Sequence, residues 1–433
     1  MIRLKNNLLI KNIIIILISN LLVMLLFMIN KITYTKILGI NTISVYSIVM
    51  PTLSLIYNLS SFGFIISISK ITALKKYKDE DILKNAKIIN IIISIILIIL
   101  VIFFSKIIAK TLHNTNYKYI IISSSLLIPF IGITSIFKGF MYGKEKMFFP
   151  SLLNIIEEII KLILIIFILP IVITSNDIIN IIYLVIFNFV TEVFSYFFLK
   201  HKINNTYIIK KGKYNKNIFK EIFMTSFITT LIRLISAVFM FLEPIIYTNT
   251  YLKLGFSIKY LTLEYSIINS YIISIFSFPS FFGISVSSAL LPNITLDYKN
   301  KRYSIFNKKI LYLTISTIIF GIVSIFIILF NINKFLLLFF NSNKGINYAY
   351  LLGPFFIFIY ITPIFSSVMQ AINKVNKLLY VTIISNSLKI IIFIILCMNK
   401  FGITAYLYAI IVEIIITFIT LFYLVIKKSN YNN

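Results

Sequence analysis

The chain is poor in the residues from which most catalytic sites are built. Its 433 residues include one cysteine, two histidines and 13 acidic residues. Cys397 lies inside an apolar run, so the sequence offers no disulfide framework and no Cys/His metal site. His113 and His201 fall in separate polar connections and read as solvated loop residues. There is no Walker A sequence, no paired-histidine metal motif and no G-x-S-x-G elbow. The polar connections are too short for a catalytic domain. The expectation is a protein that is not an enzyme, with no cofactor and no resident metal.

Charge is scarce as well. Charged residues are 12% of the chain, against about 25% in a soluble domain. Hydrophobic residues make up 59%, and runs of about 20 of them recur throughout, the length that crosses a bilayer as a helix. Backbone groups in hydrocarbon must bond within their own segment, and these runs are too long for barrel strands. The fold class is therefore an all-α polytopic membrane protein. Twelve spans are expected, at 8–29, 43–65, 88–105, 119–137, 150–172, 178–199, 219–243, 260–290, 310–330, 346–369, 379–397 and 402–426. The opening MIRLKNNLLIKN and the run after it imitate a signal peptide, but no A-x-A-like cleavage site follows. It reads as a retained first helix.

The net charge of +28 follows the membrane, not nucleic acid. Lysines crowd the N-terminal tail and every second loop, which places both termini in the cytoplasm of a plasma-membrane protein. No basic-aromatic module for nucleic acid is present. The basic stretch 201–218 divides the chain into an N-terminal six-helix lobe (1–200) and a C-terminal six-helix lobe (219–433). Weak internal similarity agrees: Tyr46 and Tyr265 each open Y-S-I, followed by Pro51 or Pro279 and then Phe-Gly. Even-numbered repeats keep the same orientation in the membrane.

A few charges sit where lipid should be. Glu157, Glu158 and Lys161 lie in the fifth span, with Glu157 and Lys161 four apart on one face in the favourable order for a pair. Arg233 is deep in the seventh span, Lys389 in the eleventh, Glu413 in the twelfth and Glu192 in the sixth. Lys70 stands at the inner end of the second. A charge in hydrocarbon costs roughly 2.5–3.5 kcal/mol on insertion scales, so each needs a partner or a wet cavity. Buried cations suit an anionic substrate, and buried carboxylates suit H+ or Na+ coupling. Lys389 and Glu413 read equally well as a structural pair. Pro51 and Pro279 are cavity or hinge candidates, since each removes an intrahelical hydrogen bond.

The stretches NKITYTKILG (from Asn30), YSIVMP (from Tyr46), FGFIISISKITA (from Phe62), IFKGFMYGKEKMFFPSLLNIIEEIIKLI (from Ile136) and FPSFFGISVSSALLPNI (from Phe278) carry a family resemblance. The chain resembles the stage V sporulation protein B (SpoVB) and polysaccharide-exporter family, within the superfamily of MurJ lipid II flippases and MATE exporters. In the family pattern R-G-y-x-Q-G…P…Q-x-x-E-Q-x-x-R, Lys138 and Lys161 stand for Arg, Asn154 stands for Gln, and Glu157 is retained. Met24 departs from a position where Arg is common, leaving Lys31 and Lys36 as the nearby basic residues. The family usually has fourteen helices against the twelve here.

The resemblance implies two lobes around a cavity and outward transport of a lipid-linked oligosaccharide or peptidoglycan precursor by alternating access, with spore cortex synthesis as one setting. Lys31, Lys70, Lys161, Arg233 and Lys389 are then the candidates for an anionic headgroup. Glu157, Glu192 and Glu413 are the candidates for ion coupling or charge positioning, with Asn154 lining the cavity. The expected partners are the lipid-linked saccharide precursor and membrane lipids. Oligomeric state is open, with a monomer as the expectation. Two alternatives stand beside this reading: a MATE-type cation-coupled multidrug exporter and a non-transporting scaffold of cell-envelope assembly.

Overall fold

The computed structural model describes residues 2–206, 212–372, 374–399 and 401–429. Residues 207–211 of the basic stretch lie outside the described residues. Every regular element among the described residues is helical, as apolar segments in lipid require.

In chain order the helices are α1 (Ile2–Ser60), α2 (Phe64–Ala73), α3 (Asp79–Thr111), α4 (Tyr117–Ser123), α5 (Ile128–Gly143), α6 (Phe148–Ile163), α7 (Leu169–Val172), α8 (Asp177–Thr206) and α9 (Lys216–Lys253). There follow α10 (Ile258–Ser266), α11 (Ile273–Ser277), α12 (Ser280–Lys299), α13 (Tyr303–Phe330), α14 (Ile332–Phe340), α15 (Ile346–Leu352), α16 (Phe356–Ala371), α17 (Val375–Met398) and α18 (Thr404–Ser429). Wider π turns, Leu164–Ile168 and Ile267–Ile272, join α6 to α7 and α10 to α11.

Eight helices among the described residues are long and apolar enough to cross a membrane, or ten when two bent pairs each count as one span. The twelve spans expected from sequence differ from this for two physical reasons. The segment 150–172 carries three charges within five residues and is divided by the π turn Leu164–Ile168, so no uninterrupted apolar helix of spanning length lies there. The first two spans form one helical element in which the expected loop at 30–42 is itself helical; the element breaks only at Gly39, with φ 74° and ψ 173°. Positive φ of this kind is open to glycine and strained for residues with a Cβ. Pro51 is buried inside α1 without a break at its position. Pro279, by contrast, sits at the 55° bend between α11 and α12.

The chain forms two compact units, residues 29–245 and residues 1–28 with 246–433. In the first, α2 packs on α5 so closely that a Cβ on Gly139 would meet the carbonyl oxygens of Phe64 and Ile65 at 2.9 Å. Phe64, Ile68, Ile136 and Phe140 fill this contact and are completely buried. Asp81 and Asn85 of α3 accept from the backbone of Lys213 and Asn215, which fastens the start of α9 to the first turns of α3. In the second unit, α12 meets α16 even more tightly: a Cβ on Gly283 would lie 2.0 Å from the Tyr360 carbonyl oxygen. Ile361, Ile364 and Phe365 of α16 pack there with Ile294.

The internal repeat is visible as local geometry. In the first unit α4 (7 residues) runs through the 3-10 turn Ser124–Leu127 into α5 (16 residues). In the second, α15 (7 residues) runs through the 3-10 turn Gly353–Phe355 into α16 (16 residues). Pro129 and Pro354 lie at the junctions, where a missing N–H is cheapest.

Candidate functional site

Three helices of the 29–245 unit carry polar side chains at helical spacing. On α6, Asn154, Glu157, Glu158 and Lys161 fall at i, i+3, i+4 and i+7, one face of a 3.6-residue helix. On α5, Thr134 and Lys138 are four apart, and on α8, Glu192 and Ser195 are three apart. These helices pack on one another, α8 touching both α5 and α6, and bring the polar faces together.

Lys138 Nζ lies 2.9 Å from Glu157 Oε1 and 2.9 Å from Asn154 Oδ1. Ser195 donates to the same Glu157 oxygen at 2.5 Å. Glu192 Oε2 accepts from the Thr134 hydroxyl at 2.9 Å. The Asn30 amide of α1 donates to Glu158 Oε2 at 2.7 Å and to the Glu158 carbonyl at 3.0 Å. Lys161 approaches Glu158 Oε1 at 3.8 Å. The side chains of Lys138, Glu157, Glu158 and Lys161 are only 13–22% exposed.

The i, i+4 spacing of Glu157 and Lys161 points to a pair, but the structure gives each a different partner. Lys138 reaches Glu157 from the neighbouring helix and Asn154 holds it there, so Lys161 turns to Glu158, three residues before it. An Arg-Glu-type match in the sequence motif is thus a contact between α5 and α6.

α1 closes this polar face. In an unbroken helix Tyr34 and Tyr46 would be about 18 Å apart, yet across the Gly39 break their rings meet at 5.8 Å, edge to face. The buried oxygens Asn30 Oδ1, Thr35 Oγ1, Thr52 Oγ1 and Tyr57 OH have no hydrogen-bond partner among the described residues. Buried polar atoms of this kind are normally satisfied by protein or water, and four on one helix mark a polar interior.

The other candidates are distributed as follows. Lys31 is half-buried beside Asn30, and Lys70 is exposed in the last turn of α2. Arg233, on α9, is half-buried and its buried Nε has no partner among the described residues. In the other unit Lys389 of α17 and Glu413 of α18 form an ion pair at 2.8 Å. Lys389 also lies over the Tyr406 ring at 5.9 Å, and Tyr406 takes a hydrogen bond from the Asn269 amide at 3.1 Å. Asn269 sits within the π turn, where the ladder is widened. Among the described residues no three acidic, His or Cys side chains are grouped to hold a metal ion. Thr134, Ser195 and Tyr57 are members of the polar interior that motif matching passes over; their signal is polar spacing inside apolar helices.

The model of the family described as polysaccharide biosynthesis protein matches residues 9–284, more than half of the chain and all of this polar cluster. The chain belongs to that family. Two relatives of this family member come from Bacillus subtilis (strain 168). Stage V sporulation protein B is 23% identical over 358 residues, 80% of this chain and 69% of that protein. Sporulation protein YkvU is 25% identical over 337 residues, 74% of this chain and 73% of that one. Among solved structures, an inward-facing multidrug resistance MATE family transporter of the MOP superfamily superposes with a TM-score of 0.72, at 15% identity, covering 97% of this chain and 98% of that one. An outward-facing form gives 0.68 at 13% identity, covering 98% and 96%. The fold of this family member is that of the MATE transporters.

Proposed function

We propose that this protein is a flippase that carries a lipid-linked oligosaccharide or peptidoglycan precursor outward across the plasma membrane, with spore envelope synthesis as its setting. The observation that carries the reading is the α5–α6–α8 cluster. The family's motif stretch, 136–163, delivers its charged and amide side chains to one packed polar face deep in apolar helices. Lys138–Glu157 is the fixed part of that face. Lys31, Lys161 and Arg233 are the cations offered to the headgroup pyrophosphate, which favours charge-assisted contacts. Family membership and likeness to two sporulation proteins support the substrate class, and the lysine-rich loops favour a topology with both termini on the cytoplasmic side. Lys389 and Glu413, already in contact, act as a positioning pair.

The multidrug exporter reading has the fold likeness in its favour, but the cations within the spans, Lys161 and Arg233, speak against a cationic drug. Expression in a strain depleted of its own lipid II flippase distinguishes the two. Restored growth supports the flippase. No rescue together with resistance to cationic drugs would replace it with the exporter.

A further inference from the structure

Three carboxylates share the α5–α6–α8 cluster, and they are not equivalent. Glu157 has Lys138 at 2.9 Å and the Ser195 hydroxyl. Glu158 has the Asn30 amide and Lys161. Glu192 has only the Thr134 hydroxyl, at 2.9 Å, and no described cation within ion-pair distance. Its surroundings are nonetheless charged. Lys138 faces it from α5, Glu157 and Lys161 from α6, and Tyr57 from α1. α4 also packs on α8, but its ionisable side chains, Tyr117, Lys118 and Tyr119, lie in its first turn, about 22 Å along the helical axis from Thr134.

We infer that Glu192 is a proton-binding site, taking up and releasing a proton inside the α5–α6–α8 cluster. Two features carry this. First, Thr134 is built to serve both states. Its single hydroxyl proton has two acceptors in reach, Glu192 Oε2 at 2.9 Å and the Ile131 carbonyl at 3.1 Å. With Glu192 ionised, the hydroxyl donates to the carboxylate. When a proton from water forms an O–H bond at Oε2, that O–H donates to Thr134 Oγ1, and the threonine proton turns to the Ile131 carbonyl. Every donor is used in either state and no heavy atom has to move. Second, the buried Tyr57 hydroxyl has no partner among the described residues, leaving a polar group free to hold water beside Glu192.

The consequence rests on the flippase reading. Lys138 and Lys161 are offset by Glu157 and Glu158, so protonating Glu192 makes the interior one unit more positive. An anionic headgroup is held more strongly then, and deprotonation favours its release.

The test needs no substrate. The full-length protein in lipid is titrated over about pH 4–9, the range that brackets buried carboxyls, and followed by infrared difference spectroscopy of the protonated carboxyl stretch. The expected result is a titrating band lost in Glu192→Gln and retained in Glu157→Gln. A band that survives Glu192→Gln overturns the inference. Thr134→Val serves as the second variant if Glu192→Gln does not fold: the band must shift in frequency or midpoint, and an unchanged band overturns the inference. Failed flipping with an intact Glu192 band contradicts the flippase reading alone, while flipping without that band contradicts the proton site alone.

Discussion

Lys138 and Glu157 meet at 2.9 Å across the contact between α5 and α6. This pair, and not the neighbouring lysine on Glu157's own helix, neutralises the carboxylate. Removing one partner of a buried pair leaves an uncompensated charge and typically costs about 3–5 kcal/mol, whereas replacing both with apolar groups can be neutral. Lys138→Met or Glu157→Met alone should therefore lower the thermal midpoint in detergent, and the double variant should recover much of the loss. A double variant as unstable as the sum of the two would remove the pair from the account.

A second pair allows the same logic at another place. Lys389 and Glu413 join α17 to α18 at 2.8 Å. Exchanging them, as Lys389→Glu with Glu413→Lys, should retain folding and at least half of the rescue in the flippase-depleted strain. Loss of rescue with normal folding would show that the individual charges contact the substrate or a coupling ion.

Backbone packing predicts an ordering among glycine variants. A Cβ at Gly283 would be forced to 2.0 Å from the Tyr360 carbonyl, while at Gly39 it would meet nothing within 4 Å. Gly39→Ala carries only the strain of a backbone region essentially confined to glycine, about 1–3 kcal/mol. Gly283→Ala must part α12 from α16 and should be the more destabilising in thermal unfolding. The reverse order would contradict the tight contact.

The sequence made much of this legible, in uneven measure. Apolar runs located the spans because lipid leaves the backbone no alternative to helix. The two-repeat pattern, hinted at by Y-S-I and Phe-Gly, reappears in the matching α4–α5 and α15–α16 geometry. Gly39 was harder to read: it falls in the stretch 30–42 expected as a loop, where a glycine draws no notice, and only its positive φ within a helical element shows that it brings Tyr34 to Tyr46. Spacing along α6 showed which residues share a face but could not supply the partner from α5, because pairing across helices depends on packing that sequence distance does not encode. Ser195 and Thr134 were invisible for a related reason: a hydroxyl in an apolar helix usually bonds its own backbone.

Lys161 and Arg233 should matter to transport more than to folding. Neutralising Lys161 and Arg233 together, as Lys161→Ala with Arg233→Ala, removes two contacts to an anionic headgroup. Charge-assisted hydrogen bonds contribute about 1.5–3 kcal/mol each, so transport should fall by at least about tenfold. Quantified rescue at matched protein levels checks this, and wild-type rescue by the double variant would favour a scaffold.

Translocation itself is the most direct test. The purified protein is placed in liposomes containing a labelled lipid-pyrophosphate-linked saccharide, and headgroup exposure at each face is followed with an impermeant enzyme. The account predicts exchange of the headgroup between leaflets, reduced at least about tenfold in the Lys161→Ala, Arg233→Ala protein. Headgroups that stay in their original leaflet with wild-type protein, as in empty liposomes, would contradict it.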